Sequence, residues 1–158
     1  REISGGTGRA FRAKVDWCWS VEVPQPAITG EIYRQIAVDG TYFQNWCLLI
    51  AYNGAHVVAW QWCDRESKAS WSALLDRISA PDVVVTDGGT GLRAALDEHW
   101  RHTRIQRCYF HIFQTVIRHT TRQPRLQAGK EIVDLTRELM RVRDLDAAAA
   151  WMGHSASW

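Results

Sequence analysis

Apolar and polar positions along the 158-residue chain change period part way through, and that change divides it into two kinds of structure. "RQIAVD" (34–39) reads as a short buried strand. "FQNWCLLIAY" (43–52) is a second, rich in aromatic and branched residues, and "HVVAWQWC" (56–63) a third. Asn53-Gly54 between the last two is a strong hairpin signal. A helical period then takes over. In "SKASWSALLDRIS", Trp71, Leu74, Leu75 and Ile78 fall on one helix face, and Pro81 stops the run. "DVVVTD" (82–87) is short, apolar and bounded by breakers, which predicts a strand covered on both faces. Thr90 is placed to cap the next helix, in which Leu92, Ala95, Leu96 and either His99 or Trp100 share a face. "TRIQRCYF" (103–110) predicts a fifth strand, and Tyr109, Phe113, Val116 and Ile117 continue at helical spacing. Beyond Pro124, Ile132, Leu135, Leu139 and Val142 form one stripe, and Asp144 is placed to cap a last helix through "AAAAWM". Residues 1–30 are broken by Gly5, Gly6, Gly8, Pro24 and Pro26 and read as an irregular lead-in, with one strand around Val15–Val21.

Three strands followed by helix–strand alternation imply a mixed five-stranded α/β sheet with helices packed on it. Strands joined through a helix should lie parallel, by right-handed crossover. The expected organisation is a lead-in over 1–30, an α/β core over 31–123 and the start of a helical segment over 124–158. Arg1 and the abrupt stop at "GHSASW" read as the ends of a piece of a longer protein.

Charge sharpens this picture. Net charge is only +2, yet residues 15–100 hold 5 Lys/Arg against 11 Asp/Glu. Residues 101–125 hold six arginines, three histidines and no acid, and residues 1–14 carry four basic side chains and one acid. Basic flanks around an acidic middle suit either a solvated helix face or a polyanion footprint. No stretch approaches the ~18–20 apolar residues of a membrane span. The four cysteines, Cys18, Cys47, Cys63 and Cys108, show no Cys-x-x-Cys pair, so reduced and mostly buried thiols are expected.

Two strands end in the same grammar, Asp39-Gly40 and Asp87-Gly88-Gly89. If the first and fourth strands are parallel neighbours, both aspartates close their strands at one sheet edge, about 4.8 Å apart between strands. Two anions that close repel, and a divalent cation removes the penalty. Mg²⁺ takes oxygen ligands, and two such ions suit phosphoryl transfer. Each Asp-Gly taken alone is equally a turn or a cap.

At these residues the chain resembles a bacterial insertion-sequence transposase of the mutator-type group. The resemblance runs over about residues 17–150 and is carried by "VDGTYF", "WCLLIAYNGAHVVAWQWCDRES", "VVVTDGGTGLRAAL", "RCYFHIFQTV", "TRQP" and "DLDAAAAW" in that order. It implies a ribonuclease-H-like domain that cuts and joins DNA through an Asp–Asp–Glu metal triad. Asp39 matches the first acid and Asp87 the second, with Mg²⁺ (Mn²⁺ as substitute) as two expected ions. Cys108 and His111 match the group's Cys-x-x-His feature, whose role packing or a hydrogen bond explains better than zinc, since no second pair has ligand spacing. The third acid is expected beyond a helical insertion in which this chain stops. Glu131 and Glu138 are weaker candidates, and Glu66 reads as a loop or capping residue. Arg107, Arg118, Arg122 and Arg125 are candidates for DNA phosphate contacts. Trp60 and Trp62 share a strand face, with Trp46 opposite, where core packing competes with base stacking. DNA partners, a homo-oligomeric synapse and a bacterial cytoplasmic setting follow from the resemblance alone. The competing reading is a catalytically incomplete remnant that only binds DNA. An aspartyl phosphatase is disfavoured, because Ala37 stands where its nucleophile would.

Overall fold

The computed structural model describes residues 8–158. Five strands form one sheet in the order β3-β2-β1-β4-β5. They are β1 (Gln35–Phe43), β2 (Trp46–Tyr52), β3 (Val57–Cys63), β4 (Val83–Thr86) and β5 (Arg104–Arg107). β1, β2 and β3 make an antiparallel meander, whereas β4 lies parallel to β1 and β5 parallel to β4. The expected mixed five-stranded architecture is therefore present.

The meander turns through chain chemistry. Asn53 closes the β2–β3 loop by accepting from the N–H groups of Ala55 and His56, both at 3.0 Å, while Gly54 takes the left-handed backbone (φ +99°) that favours glycine. The loop is longer than the two-residue turn that Asn-Gly alone suggests, because β3 begins only at Val57.

One face of the sheet carries the core. Ile36 and Val38 of β1, Cys47, Leu49 and Ala51 of β2, Ala59 of β3 and Val84 of β4 are buried against two helices, α2 (Lys68–Leu75) and α3 (Thr90–His99). Trp71, Leu74 and Leu75 of α2, and Leu92, Ala95 and Leu96 of α3, meet them there, with Ile78 and Trp100 just past the helix ends. These are the positions that helical spacing selects. Ser67 caps α2, its hydroxyl accepting from Ser70 N–H at 3.1 Å.

The opposite face is only partly covered. Val83 and Val85 are half-buried while Val84 and Thr86 are buried, so β4 is shielded fully on one face, not on both. Toward β5, Gln35, Val85 and Gln106 share a cavity on that side with Tyr109, Phe110 and Met140. Toward β3, residues from Cys18 to Gln25 run beside it and enclose a cavity of about 710 Å³ with Leu48, Ile50, Val57, Trp60 and Trp62. The Gln25 side chain donates to Trp60 O at 3.0 Å. Trp46 and Trp62 are exposed and Trp60 is half-buried. The tryptophans that build the core are Trp71 and Trp100.

The lead-in departs from its expectation. A strand does not form at Val15–Val21; α1 (Gly8–Val15) and a 3₁₀ turn (Asp16–Ser20) occupy it. Its apolar residues Trp17 and Val21 stay exposed, so no sheet edge recruits them. The part of the lead-in before residue 8 lies outside the described residues. Nor does Thr90 cap α3: Gly89 holds the cap position, without a side-chain bond.

After β5 come α4 (Tyr109–Thr120), α5 (Gln127–Leu139) and α6 (Leu145–Ser157). They pack in series, around Val133, Leu135 and Leu139 of α5. Asp144 caps α6 as expected, accepting from Ala147 N–H at 2.8 Å. Trp151 Nε1 donates to Leu135 O at 2.8 Å, and Trp158 Nε1 to Glu131 at 3.0 Å, tying α6 back to α5.

The contrast between core and surface tryptophans is testable. Trp71→Ala should cost about 3–5 kcal/mol in denaturant unfolding, as expected for an emptied aromatic core site. Trp46→Ala, on an exposed strand end, should change stability by no more than about 0.5 kcal/mol.

Candidate functional site

The site is set by register. Parallel pairing joins Gln35 to Val83, Ile36 to Val84 and Ala37 to Val85. The same offset, carried two residues further, sets Asp39 beside Asp87. The two aspartates thus arrive at one level on neighbouring strands. They do not both end their strands, however. Asp87 follows β4 directly, whereas Asp39 lies inside β1, which runs on to Phe43 because it continues into the hairpin with β2.

Each carboxylate is partly committed locally. Asp39 Oδ1 accepts from Gly40 N–H at 3.1 Å. Asp87 Oδ1 accepts from Gly89 N–H at 2.9 Å, and the Thr86 hydroxyl takes Gly88 N–H at 3.0 Å. Asp87 therefore shapes the turn into α3, as an Asp before a helix commonly does. Gly88 sits at φ +83°, and the guanidinium of Arg107 lies where its Cβ would be. Arg107 is thus brought to the aspartate turn.

A third acid arrives from the other side. Glu66, in the segment between β3 and α2, folds its carboxyl over Gly40; a Cβ there would sit 2.5 Å from Glu66 Cδ. Its backbone N–H donates to the Tyr42 hydroxyl at 3.3 Å. Burial raises the Glu66 carboxyl above the ordinary glutamate range; the charges of Asp87 and then Asp39 push the same way, and His111 opposes them. Glu66 was read from sequence as a loop or capping residue. In the fold it senses both aspartates, and the cap of α2 is Ser67. The signal that could have found it is Gly40, whose missing side chain leaves room for a carboxylate above β1.

His111, in the first turn of α4, brings Nε2 to 3.9 Å from Asp39 Oδ1. Its Nδ1 is buried without a hydrogen-bond partner among the described residues. Cys108 caps α4, and its backbone N–H donates to Thr86 O at 2.8 Å, which holds the start of α4 against the strand that presents Asp87. The Cys-x-x-His pair thus splits its work: Cys108 through the backbone, His111 toward Asp39. Among the described residues, no three His, Cys, Asp or Glu side chains are gathered tightly enough to grip a metal ion as they stand.

The other candidates lie elsewhere. Glu131 bonds Gln127 at 2.8 Å and Trp158, and Glu138 bonds His154 at 2.8 Å, so both serve the α5–α6 contact. Arg118, Arg122 and Arg125 are exposed on and just beyond the end of α4. All four cysteines are free thiols, but only Cys47 is buried; Cys63 and Cys108 are half-buried and Cys18 is exposed. Most sit at strand ends or in connecting segments, away from the centre of the core. Among the described residues, no helix is long and apolar enough to cross a membrane.

Comparison with known proteins places most of the chain in a family. The model of "Transposase, Mutator family" matches residues 45–157, well over half the chain. The chain is 34% identical over 98 residues to the transposase for insertion sequence element ISRM5 of Rhizobium meliloti, a match covering 56% of this chain and 24% of that protein. It is 27% identical over 133 residues to the transposase for IS905 of Lactococcus lactis, covering 73% of this chain and 33% of that protein. To the transposase for IST2 of Acidithiobacillus ferrooxidans it is 43% identical over 53 residues, 30% of this chain and 18% of that protein. The matches thus span a third or less of each relative's length. With most of its length matched by the family model, from β2 to the last helix, the chain belongs to the Mutator family of transposases.

Proposed function

We propose that this chain carries the catalytic edge of a ribonuclease-H-like transposase core, which hydrolyses a phosphodiester at an element end and transfers the freed 3′ end into target DNA. One observation carries the reading: Asp39 and Asp87 come to the same level on parallel neighbours, and Glu66 leans toward both. Three carboxylates converging on one edge repel each other, and a hard divalent cation offsets that repulsion with oxygen ligands. The donor set therefore fits Mg²⁺ or Mn²⁺. Bound there, two such ions would supply an activated water or hydroxyl and stabilise the leaving oxygen.

The chain's own residues do the rest. Asp39 and Asp87 would hold such a cation, and Glu66 is the acid of this chain positioned to join them. Gly40 and Gly88 leave the room that the Glu66 carboxyl and the Arg107 guanidinium occupy at this edge. Arg107, stacked on the aspartate turn, is placed to orient a phosphate oxygen, since a guanidinium pairs well with that group. His111 lies beside Asp39, Nε2 at 3.9 Å, in the first turn of α4. Arg118, Arg122 and Arg125 grip backbone phosphates away from the chemistry, with little base specificity. The DNA ends and a multimeric synapse are part of the same proposal, by analogy with the family.

Three measurements test it. Asp39→Asn and Asp87→Asn should each weaken Mn²⁺ binding about tenfold or more in calorimetric titration; an unchanged isotherm for both would remove the site. Ionised Glu66 is disfavoured in the metal-free fold, so stability should fall as pH rises from the ordinary glutamate range through its raised value. Glu66→Gln should abolish that fall and raise the metal-free Tm at neutral pH by about 2 °C, while weakening Mn²⁺ binding. A lower Tm together with unaltered Mn²⁺ binding would return Glu66 to a structural role. Reversing Arg118 and Arg122 to Glu should lower DNA affinity and make its log–log salt slope shallower by about two; the same slope in both proteins would exclude the footprint.

A further inference from the structure

One row of the sheet contains chemistry that the metal site does not use. Tyr42 of β1 faces Cys47 of β2, and Cys47 faces Cys63 of β3, so three strands bring a phenol and two thiols into register. Cys63 Sγ donates to Cys47 O at 3.5 Å. The Cys63 thiol and the Tyr42 hydroxyl both act on the Cys47 thiol, the first raising and the second lowering its tendency to keep its proton. Burial is the main cause that pushes the Cys47 thiol up to about 12, with Cys63 and Glu66 adding to it. Cys47 is fully buried, whereas Cys63 is half-buried and is the more accessible of the two.

We propose that Cys47 and Cys63 form a reversible oxidation site, closing into a cross-strand disulfide with a small-molecule disulfide as oxidant. The more accessible partner reacts first. Cys63, as its thiolate, attacks one sulfur of the reagent; that S–S bond breaks, and one small thiol leaves with the proton. Cys47 then attacks Cys63 sulfur, the bond from Cys63 to the reagent breaks, and the second small thiol leaves with the Cys47 proton. Two protein thiols are oxidised and one small disulfide is reduced to two thiols.

Geometry makes the bond labile. Directly opposed residues of an antiparallel pair hold their Cβ atoms about 4.5–5.5 Å apart, whereas a disulfide wants about 3.5–4.5 Å. Closure must draw the strands together, and a strained disulfide is easily reduced again. The strain falls beside the catalytic edge. Glu66 follows Cys63 by three residues and rests its N–H on the Tyr42 hydroxyl of the same row. Oxidation would therefore pull on the segment that places Glu66. The thiol chemistry itself does not depend on the metal-site reading.

The test uses the 158-residue chain with oxidised glutathione as probe, then unfolding, N-ethylmaleimide and peptide mass mapping. The expected product is a Cys47–Cys63 link within one chain, about 2 Da lighter than the dithiol and reopened by dithiothreitol. Cys18 and Cys108 should carry maleimide or glutathione instead. Cys63→Ser, at a half-buried site, should keep the native circular dichroism and leave Cys47 alkylatable after the same treatment. Persistent glutathione on Cys63 beside a free Cys47, alkylation of both, or links through Cys18 or Cys108 would each overturn the proposal. So would a Cys47–Cys63 link that forms only in denaturant.

Discussion

The parallel pairing of β1 with β4 is the constraint on which the rest of this molecule depends. It is a backbone interaction, blind to the side chains it carries, yet it decides which residues meet at the sheet edge. A slip of one residue would turn Asp39 to the other face relative to Asp87, because side chains alternate along a strand. Register here is protected by burial. Ile36 and Val38 on β1 and Val84 on β4 lie at or near zero exposure under α2 and α3. A slipped strand would move those apolar groups into water. The hydrophobic core thus holds the acidic edge in place.

From that edge the local chemistry follows in layers. The Asp87 turn, braced by Thr86 and by the backbone N–H of Cys108, launches α3 and α4 from one point. Arg107 lies over the glycine that the turn needs in left-handed backbone, so the same residue that permits the turn admits a cation beside it. On the opposite flank, Ser67 starts α2 and thereby leaves the residue before it, Glu66, facing Gly40. Acid and base thus enter the site from chain segments whose first duty is to begin helices. From β2 onward these segments lie within the stretch that matches the Mutator transposases.

The helical part stands apart from this logic. α4, α5 and α6 pack on one another around α5, and their acids and rings are used up in that packing: Glu131 with Trp158, Glu138 with His154, Trp151 with a backbone carbonyl. α4 is the exception. Its first turn contributes His111 to the acidic edge, and its far end presents exposed arginines. One helix therefore links the edge to the basic surface.

The strands and helices were legible in the sequence wherever one local rule sufficed. Short apolar runs bounded by breakers marked all five strands, helical spacing marked the buried stripe of α2, and Asp144 announced α6 by its capping chemistry. The two aspartates could also be singled out, since strand–Asp–Gly repeats and the order of elements implied parallel neighbours. What failed was whatever depends on partners distant in the chain. The apolar lead-in offered no sign that it would form α1 and a 3₁₀ turn instead of a strand, because a strand needs an edge to join. β4 read as covered on both faces because a run of valines cannot say how many layers pack on it. Glu66 resembled an ordinary loop acid, since its role comes from the room above Gly40 and from the charges of Asp39 and Asp87. Sequence determined the elements and their order through local spacing and capping. Tertiary structure alone decided which charges face one another, because those distances are set by strand register and by the core beneath it.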